Sequence, residues 1–509
     1  VNAAHRFPGG LRLEPNRAIS TRHPVTAVPL PERLILPLGA ALGAPAQPCV
    51  SEGERVRAGQ CLAEGEDPAV PPLHAPAGGR VAAITAHPAP HPSNLAVTSL
   101  VLETDPDAAA EPAWPALDAG ADPAALRARV HAAGITGLGG AGFPTAAKLA
   151  DAAGRVHTLV LNGAECEPWI SCDDMLMRTR AAAVLSGGRL LARAVGAGRI
   201  VVALEADAEA ALEAVTAAAD DDVEVVTVPA RYPAGGERQL VQALTGQEVP
   251  AGDLPTTLGI LCQNVGTAEA VHRAAVEGRA LTHRYVTVTG DAVADPRVVL
   301  APLGAPFSDL LAAAGGATPG LDRLIMGGPM MGFTVADPAV PVVAATNCIL
   351  AATTALCPPP QPALPCIRCG ACAEACPASL QPQQLYWHAR GGEVDTLAAL
   401  GLGDCIECGA CAYVCPSHIP LIQYFRHGKA EMADARQART IAERARERYE
   451  ARQARLAREA EERRQRREQK KAQARSGGDA RKAAVAAALE KRRRRRGTAE
   501  SDGDDGGRP

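Results

Sequence analysis

The chain has 509 residues, 47 % of them apolar, which suits about three domains with buried cores and excludes a wholly disordered protein. The net charge of −4 conceals two unlike parts: from Arg426 onward 26 Lys and Arg face 15 Asp and Glu, a net +11, leaving −15 on the preceding 425 residues. Residues 1–10 hold no signal-peptide core, and no apolar run reaches about 18 residues; the nearest, Ala339 to Cys357, is broken by Pro341, Asn347 and threonines and reads as strands.

In chain order the sequence predicts a multidomain α+β protein. Residues 1–30, rich in Pro and Arg, read as an arm lying on the body. From 31 to 104 short apolar runs alternate with Gly/Pro turns, the rhythm of a small all-β unit. Glu52-Gly-Glu-Arg-Val-Arg-Ala-Gly-Gln and Ala75-Pro-Ala-Gly-Gly-Arg-Val resemble a biotinyl/lipoyl-type barrel-sandwich, without a carrier lysine on the turn between them. The resemblance therefore bears on fold and not on carrier function. Residues 105–122 are Ala/Pro/Asp-rich and read as a linker. From 123 to 275 helices (124–133, 180–195, 208–219) alternate with strands (157–162, 199–204, 223–228), an α/β domain. Residues 283–335 read as a small β-rich module, and Pro358-Pro-Pro-Gln-Pro introduces a cysteine-rich unit over 358–428. The tail, 429–509, is basic and Ala/Arg/Glu-rich, with no Gly or Pro between Ala430 and Arg475. Its few large apolar residues (Ile441, Tyr449, Leu456) suit a solvated, partly disordered helix; docking to a membrane surface or acidic partner is the alternative, and the Arg492–Arg496 run is weak evidence for nucleic acid.

Two segments of the α/β region carry ligand chemistry. Gly137-Leu-Gly139-Gly140-Ala-Gly142-Phe-Pro144-Thr145-Ala-Ala-Lys148 contains G-x-G-x-x-G, but follows a predicted helix, unlike a Rossmann turn. Pro144 suits a first helical position, so glycine amides and the helix dipole would cradle a phosphate, with Lys148 one turn in as counter-charge. Leu161-Asn162-Gly-Ala-Glu165-Cys-Glu167-Pro168 follows an apolar strand and sets polar groups at a sheet's carboxyl edge, with Asp173-Asp174 beyond it. Gly235-Gly236-Glu237 and Gln263-Asn264-Val265-Gly266-Thr267 add two more polar turns. Taken singly, the glycines also suit a tight turn and the glutamates a solvated loop.

Cys366-Ile-Arg-Cys369-Gly-Ala-Cys372-Ala-Glu-Ala-Cys376-Pro377 recurs 39 residues later as Cys405-Ile-Glu-Cys408-Gly-Ala-Cys411-Ala-Tyr-Val-Cys415-Pro416, nine of twelve positions identical. This is the bacterial spacing for [4Fe–4S] ligation, in which the fourth cysteine serves the other cluster. One cluster thus draws on Cys366, Cys369, Cys372 and Cys415, its partner on Cys405, Cys408, Cys411 and Cys376. Glycine after the second cysteine is expected to let backbone N–H groups approach cluster sulfur. A pair of zinc sites would not need three closely spaced cysteines plus Cys-Pro. The other seven cysteines are scattered without a disulfide framework, which points to a reducing, cytosolic setting.

The Gly-Gly-Ala-Gly-Phe-Pro-Thr-x-x-Lys loop, the Asn-x-x-Glu-x-Glu-Pro turn, the Gly-Glu helix start and the Asn-Val-x-Thr segment resemble the NADH- and FMN-binding subunit of respiratory complex I. With Phe7-Pro-Gly9-Gly10, the barrel-sandwich phrases and the two cysteine runs opening at Pro365, residues 1 to about 428 resemble more closely the RnfC/RsxC family, from the Rnf/Rsx ion-translocating electron-transport complexes. The resemblance implies that Gly137, Gly139, Gly140, Gly142 and Lys148 lie at FMN and dinucleotide phosphates. It implies that Asn162, Glu165 and Glu167 line the flavin/NADH cavity, completed by Glu237, Asn264 and Thr267, and that 283–335 is a β-grasp-like module. Gly266 stands where the complex I phrase has Glu, and Gly235-Gly236-Glu237-Arg238 replaces Gly-Glu-Glu. The implied activity passes electrons between NADH and membrane partners through non-covalent FMN and two [4Fe–4S] clusters, from a peripheral position on the cytoplasmic side of the inner membrane. Integral membrane and flavin subunits of the same complex are the implied partners, with soluble ferredoxin or another redox protein as a further one and no nucleic acid. A flavin-free iron–sulfur adaptor is the alternative.

Overall fold

Up to Lys429 the chain buries the apolar faces of its strands and helices, while the helix beyond stays solvated. The computed structural model describes residues 5–39, 45–65, 67, 69–108, 112–118 and 120–497. Expectations for 1–4 of the arm, 40–44, 66 and 68 of the β unit, 109–111 and 119 of the linker, and 498–509 and the Arg496 side chain of the tail lie outside the described residues. Val1–Lys429 and Ala430–Pro509 form two compact units.

The N-terminal part contains β1 (Thr26–Ala27), β2 (Arg33–Pro37), β3 (Gln47–Pro48), β4 (Arg55–Val56), β5 (Cys61–Glu64), β6 (Leu73–His74), β7 (Gly79–Pro88) and β8 (Ala96–Thr104). Two antiparallel sheets form, ordered β2-β8-β7-β4 and β3-β5-β6. Alternation puts Leu34, Leu36, Leu100 and Leu102 in one core with Leu62 and Val81. The stretch read as a linker is tied down: Trp114 packs edge-on against His74 at 5.7 Å, and the Arg129 guanidinium lies 5.3 Å from its ring.

The α/β part runs α1 (Pro123–Ala132), α2 (Thr145–Ala152), β9 (Thr158–Gly163), α3 (Cys172–Val195), β10 (Arg199–Glu205), α4 (Glu209–Ala218), β11 (Val223–Val228), α5 (Glu237–Thr245), β12 (Ile260–Asn264) and α6 (Val265–Ala275). Its four strands are parallel in the order β11-β10-β9-β12. The chain winds outward from β9 through β10 and β11, then returns to β12 on the other side of β9. That reversal makes the β9/β12 carboxyl edge a topological switch point, where Asn162 sits opposite Asn264. The α3 helix begins at Cys172, eight residues before the predicted Arg180. Arg180 itself is non-helical (φ −134°, ψ 27°), so the sequence pattern reports only the half beyond this kink. Pro144 precedes the first helical residue, Thr145, instead of occupying it.

A third part holds β13 (His283–Thr289), β14 (Arg297–Pro302), α7 (Phe307–Ala313), β15 (Arg323–Met326), β16 (Phe333–Val335) and β17 (Cys348–Ala352). Its sheet, ordered β1-β14-β13-β17-β15-β16, takes in β1 from the arm and β17, both outside the predicted 283–335. The cysteine-rich part carries α8 (Ala371–Glu374), α9 (Pro382–Arg390), α10 (Val394–Ala399), α11 (Ala410–Tyr413) and the start of α12 (Leu421–Gly497). In the second unit the described residues are helical and solvated, with Ile441, Tyr449 and Leu456 exposed and an Arg463–Glu459 pair at 3.4 Å. Among the described residues no helix is long and apolar enough to cross a membrane.

The α3–α6 crossing depends on Gly187, where an added Cβ would stand 1.7 Å from the Ala268 carbonyl oxygen. Alanine improves helix propensity by up to about 1 kcal/mol, but overpacking of about 1–3 kcal/mol should win. Gly187→Ala is expected to lower the urea midpoint, whereas Gly198→Ala, with open space at its Cβ, should leave it unchanged.

Candidate functional site

At the switch point the glycine loop folds onto itself. Gly137 N–H donates to Phe143 (2.8 Å) and Gly142 N–H to the Gly137 carbonyl (3.2 Å). Gly140 (φ +102°) and Gly142 (φ +64°) adopt the left-handed backbone that favours glycine. The tip, Gly139 to Ala141, is exposed. Its base is fixed by Thr267, buried on α6, whose hydroxyl accepts from Leu138 N–H at 2.9 Å. Buried Arg284 of β13 donates to the Leu138 carbonyl at 3.1 Å and also to that of Ala344.

Asn264 ends β12 and caps α6, its Oδ1 accepting from Gly266 N–H at 2.8 Å while Nδ2 donates to Asp173 at 2.6 Å. Gly139 lies against it: a Cβ there would be 3.5 Å from Asn264. Asn162 Nδ2 donates to the Gly235 carbonyl at 2.8 Å, bringing the start of α5 to the same edge. No side chain caps α5. Lys148, expected to face a phosphate, instead donates to Glu237 (2.6 Å) and to the Cys262 carbonyl (2.7 Å). A mid-strand carbonyl of β12 and the first carboxylate of α5 are thus its acceptors.

Glu165 accepts from the N–H groups of Asp173 (3.0 Å) and Asp174 (3.2 Å) at the start of α3. Burial, then the charge of Asp173, pushes its carboxyl up to about 8. Burial likewise lifts Asp173 to about 6. Glu167 turns away from this group. Its Oε1 accepts from Met330 (2.7 Å) and Met331 (3.1 Å), and burial lifts it to about 7 despite those amides. The residues at this edge thus form two linked groups: the glycine loop with Asn264, Thr267 and Glu165, and Lys148 with Glu237 and Asn162. Glu167 stands toward the cysteine-rich part.

Tyr232, not singled out by the sequence reading, makes that connection. Its hydroxyl donates to the Cys408 carbonyl at 2.5 Å, with the Glu167 carboxyl beside it. Gln239 on α5 donates to the Pro377 carbonyl at 3.1 Å, and Gly10 N–H to that of Ala375 at 3.0 Å. Gly9 packs so closely that a Cβ would meet the Cys376 carbonyl at 2.4 Å. The Tyr232-Pro-Ala-Gly-Gly phrase and Phe7-Pro-Gly-Gly were the available signals, one a buried aromatic beside a turn, the other a Gly pair in an arm. Asp173 was visible as an acidic pair; Arg284 carried no local signal.

The cysteine runs enclose two cavities. One is lined by Cys366, Cys369, Cys372 and Cys415, the other by Cys376, Cys405, Cys408 and Cys411. All eight are free thiols. The repeat extends to backbone: Arg368 and Glu407 (φ 58° and 56°), Gly370 and Gly409 (83° and 79°), and Ser379 and His418 (51° and 50°) all turn left-handed. The post-cysteine glycines therefore answer first to a left-handed turn at the start of α8 and α11. Four thiols converging on each cavity, with the fourth contributed by the other run, fit two cubane clusters.

Comparison with known proteins follows the same divisions. Residues 5–107 match the RnfC barrel sandwich hybrid domain, 130–273 the Nuo51 FMN-binding domain, 285–334 the SLBB domain and 365–419 the 4Fe-4S dicluster domain. The C-subunit of the ion-translocating oxidoreductase complex of Pseudomonas aeruginosa is 50 % identical over 456 residues, covering 89 % of this chain and 59 % of that protein. Its counterpart of the same name from Klebsiella pneumoniae is 44 % identical over 454 residues, covering 88 % of this chain and 60 % of that protein. This chain thus spans about three fifths of the length of these relatives. A chain in the crystal structure of an NAD+-reducing [NiFe]-hydrogenase in the H2-reduced state is similar at 21 % identity, TM-score 0.43, over 61 % of this chain and 63 % of that chain.

The raised carboxyls make a pH prediction. Glu165 titrates near 8 folded against its ordinary 4.5. Between those values the folded state holds a proton that the unfolded state has released, so stability falls as pH rises. Glu165→Gln should flatten that fall in flavin-free protein. Urea midpoints at pH 6 and pH 8.5 test this, and an undiminished difference in the variant rules it out.

Proposed function

We propose that the chain belongs with the C-subunits of ion-translocating oxidoreductase complexes to which it is similar, and that it is their peripheral redox component, carrying electrons between NADH and membrane-bound partners. The observation that carries this reading is the Tyr232 contact, which joins the switch-point edge to a four-cysteine cavity through one hydroxyl. The reading further puts the protein on the cytoplasmic face of the inner membrane, held by integral subunits of the complex.

The chain's own residues suit the cofactors. An exposed glycine tip with left-handed Gly140, beside an uncapped α5, offers N–H groups to an anionic phosphate. Gly137, Gly139, Gly140 and Gly142 would hold the FMN phosphate side, and Asn162, Glu165, Asn264 and Thr267 the rest of the cavity. Bound FMN supplies two-electron exchange with a nicotinamide and one-electron exchange with iron–sulfur clusters. Lys148, held by Glu237, can exchange that carboxylate for a phosphate oxygen without moving its backbone. Raised Glu165 and Asp173 limit the negative charge at the edge, which favours an anionic dinucleotide's approach. Cys366, Cys369, Cys372 and Cys415 would hold one [4Fe–4S] cluster and Cys376, Cys405, Cys408 and Cys411 the other, burying the second against Tyr232.

Anaerobic purification with flavin and iron assays tests the reading. One FMN with about eight irons supports it; eight irons without flavin would mark the chain as an iron–sulfur adaptor. Lys148→Ala should cut NADH–ferricyanide activity at least tenfold and leave cluster absorbance intact; full activity with normal flavin content rejects the site assignment.

A further inference from the structure

The two cysteine runs are nine-twelfths identical, yet their surroundings differ in charge. The position before the second cysteine is Arg368 in the first run and Glu407 in the second, both left-handed. Arg368 is exposed. Glu407 is enclosed by two cations: Arg426 Nε donates to one carboxylate oxygen at 2.8 Å and Lys429 Nζ to the other at 2.8 Å. Lys429 reaches further and donates to the backbone carbonyl of Cys405 at 2.6 Å. Its side chain is 27 % exposed, so solvent screens it only partly.

We propose that Lys429, fixed by Glu407 against the Cys405 carbonyl, raises the reduction potential of the cluster held by Cys376, Cys405, Cys408 and Cys411 relative to that of its twin. The inference rests on the reading that both cavities hold [4Fe–4S] clusters. Reduction adds one negative charge to a site already carrying four thiolates. An ammonium fixed beside one of those ligands stabilises the added electron by Coulomb attraction, and its bond to the Cys405 carbonyl withdraws density from the same ligand residue. The group Arg426, Lys429 and Glu407 carries net +1 when both cations and the carboxylate are charged. Removing Lys429 brings it to zero, and removing the Glu407 charge brings it to +2. These changes have opposite signs. The first run holds no counterpart to this arrangement among the described residues: its only charged residues are Arg368 and Glu374, both exposed, where water and salt screen them. Lys429 is thus a positioning and tuning residue and touches no substrate.

Anaerobic potentiometric titration followed by EPR reads this directly, with iron content as the control. In Lys429→Gln one of the two cluster signals should move to lower potential while the other stays in place. Glu407→Gln should move the same signal upward, and Lys429→Arg should restore it toward wild type. Full iron content with both potentials unmoved in Lys429→Gln overturns the proposal and leaves the cluster reading intact, as does a downward shift in Glu407→Gln. Wild-type protein without iron or EPR signal overturns the cluster reading and the proposal together. A Lys429→Gln protein that loses iron is resolved by Glu407→Gln: an upward shift there upholds the electrostatic role, and no shift rejects it.

Discussion

The hydroxyl of Tyr232 must find an acceptor, because the ring is buried where the α/β and cysteine-rich parts meet. An unpaired buried hydroxyl costs about 1–3 kcal/mol. Its acceptor is the carbonyl of Cys408, and Glu167 stands on its other side. Two consequences follow. The second cysteine run is held against the sheet's carboxyl edge, and Glu167 is turned away from the glycine loop toward Met330 and Met331. Ala375, Cys408 and Ala410 then close around Tyr232 with Met330 and Cys166 packed outside them. The arm completes the join, since Leu11 pairs with Tyr232 and Gly9 fits only as glycine beneath Cys376.

The switch-point edge shows the opposite arrangement, with charge gathered and partly neutralised. Glu165, Asp173 and Glu205 are carboxyls lifted by burial, and Arg17 from the arm meets Glu205 at 2.9 Å and Asp207 at 2.8 Å. Arg284 lies among the same groups with its charge disfavoured by burial. The edge is therefore held by hydrogen bonds from backbone amides and by long-range arginines, while the glycine tip stays free of such partners. A site built this way keeps its glycine tip open and its acidic floor protonatable.

How far the sequence alone reached depended on whether each signal was local. Both cysteine runs, the alternating strands 199–204 and 223–228, and the glycine loop were legible because spacing and periodicity encode them within a dozen residues. The register of Asn162 opposite Asn264 was not, although both residues were named, because parallel pairing joins segments about a hundred residues apart. Tyr232 and Arg284 were missed for the same reason: a single aromatic or arginine gains meaning only from partners at Cys408 or Leu138. The bond from Lys148 to Glu237 was likewise not legible, because the two residues are 89 positions apart in the chain. The third sheet shows the same limit, since β1 and β17 enter from beyond the stretch that local patterning marked.

The asymmetry of the cysteine-rich part has two sources, the contact at Tyr232 and the cations around Glu407. Cys408 packs with Tyr232 and, like Cys411, is buried, while Cys369 and Ile367 of the first run are exposed. Two cavities each lined by four cysteines thus have different dielectric surroundings, and the potential of a cluster held in either would follow surroundings as well as ligands. Of the differing positions, the first bears on this: Glu407 is paired with Arg426 and Lys429. Arg368 stays solvated on the outer run. Two runs of nearly identical sequence thus end in unlike surroundings, one solvated at Arg368 and the other tied at Glu407 to Arg426 and Lys429.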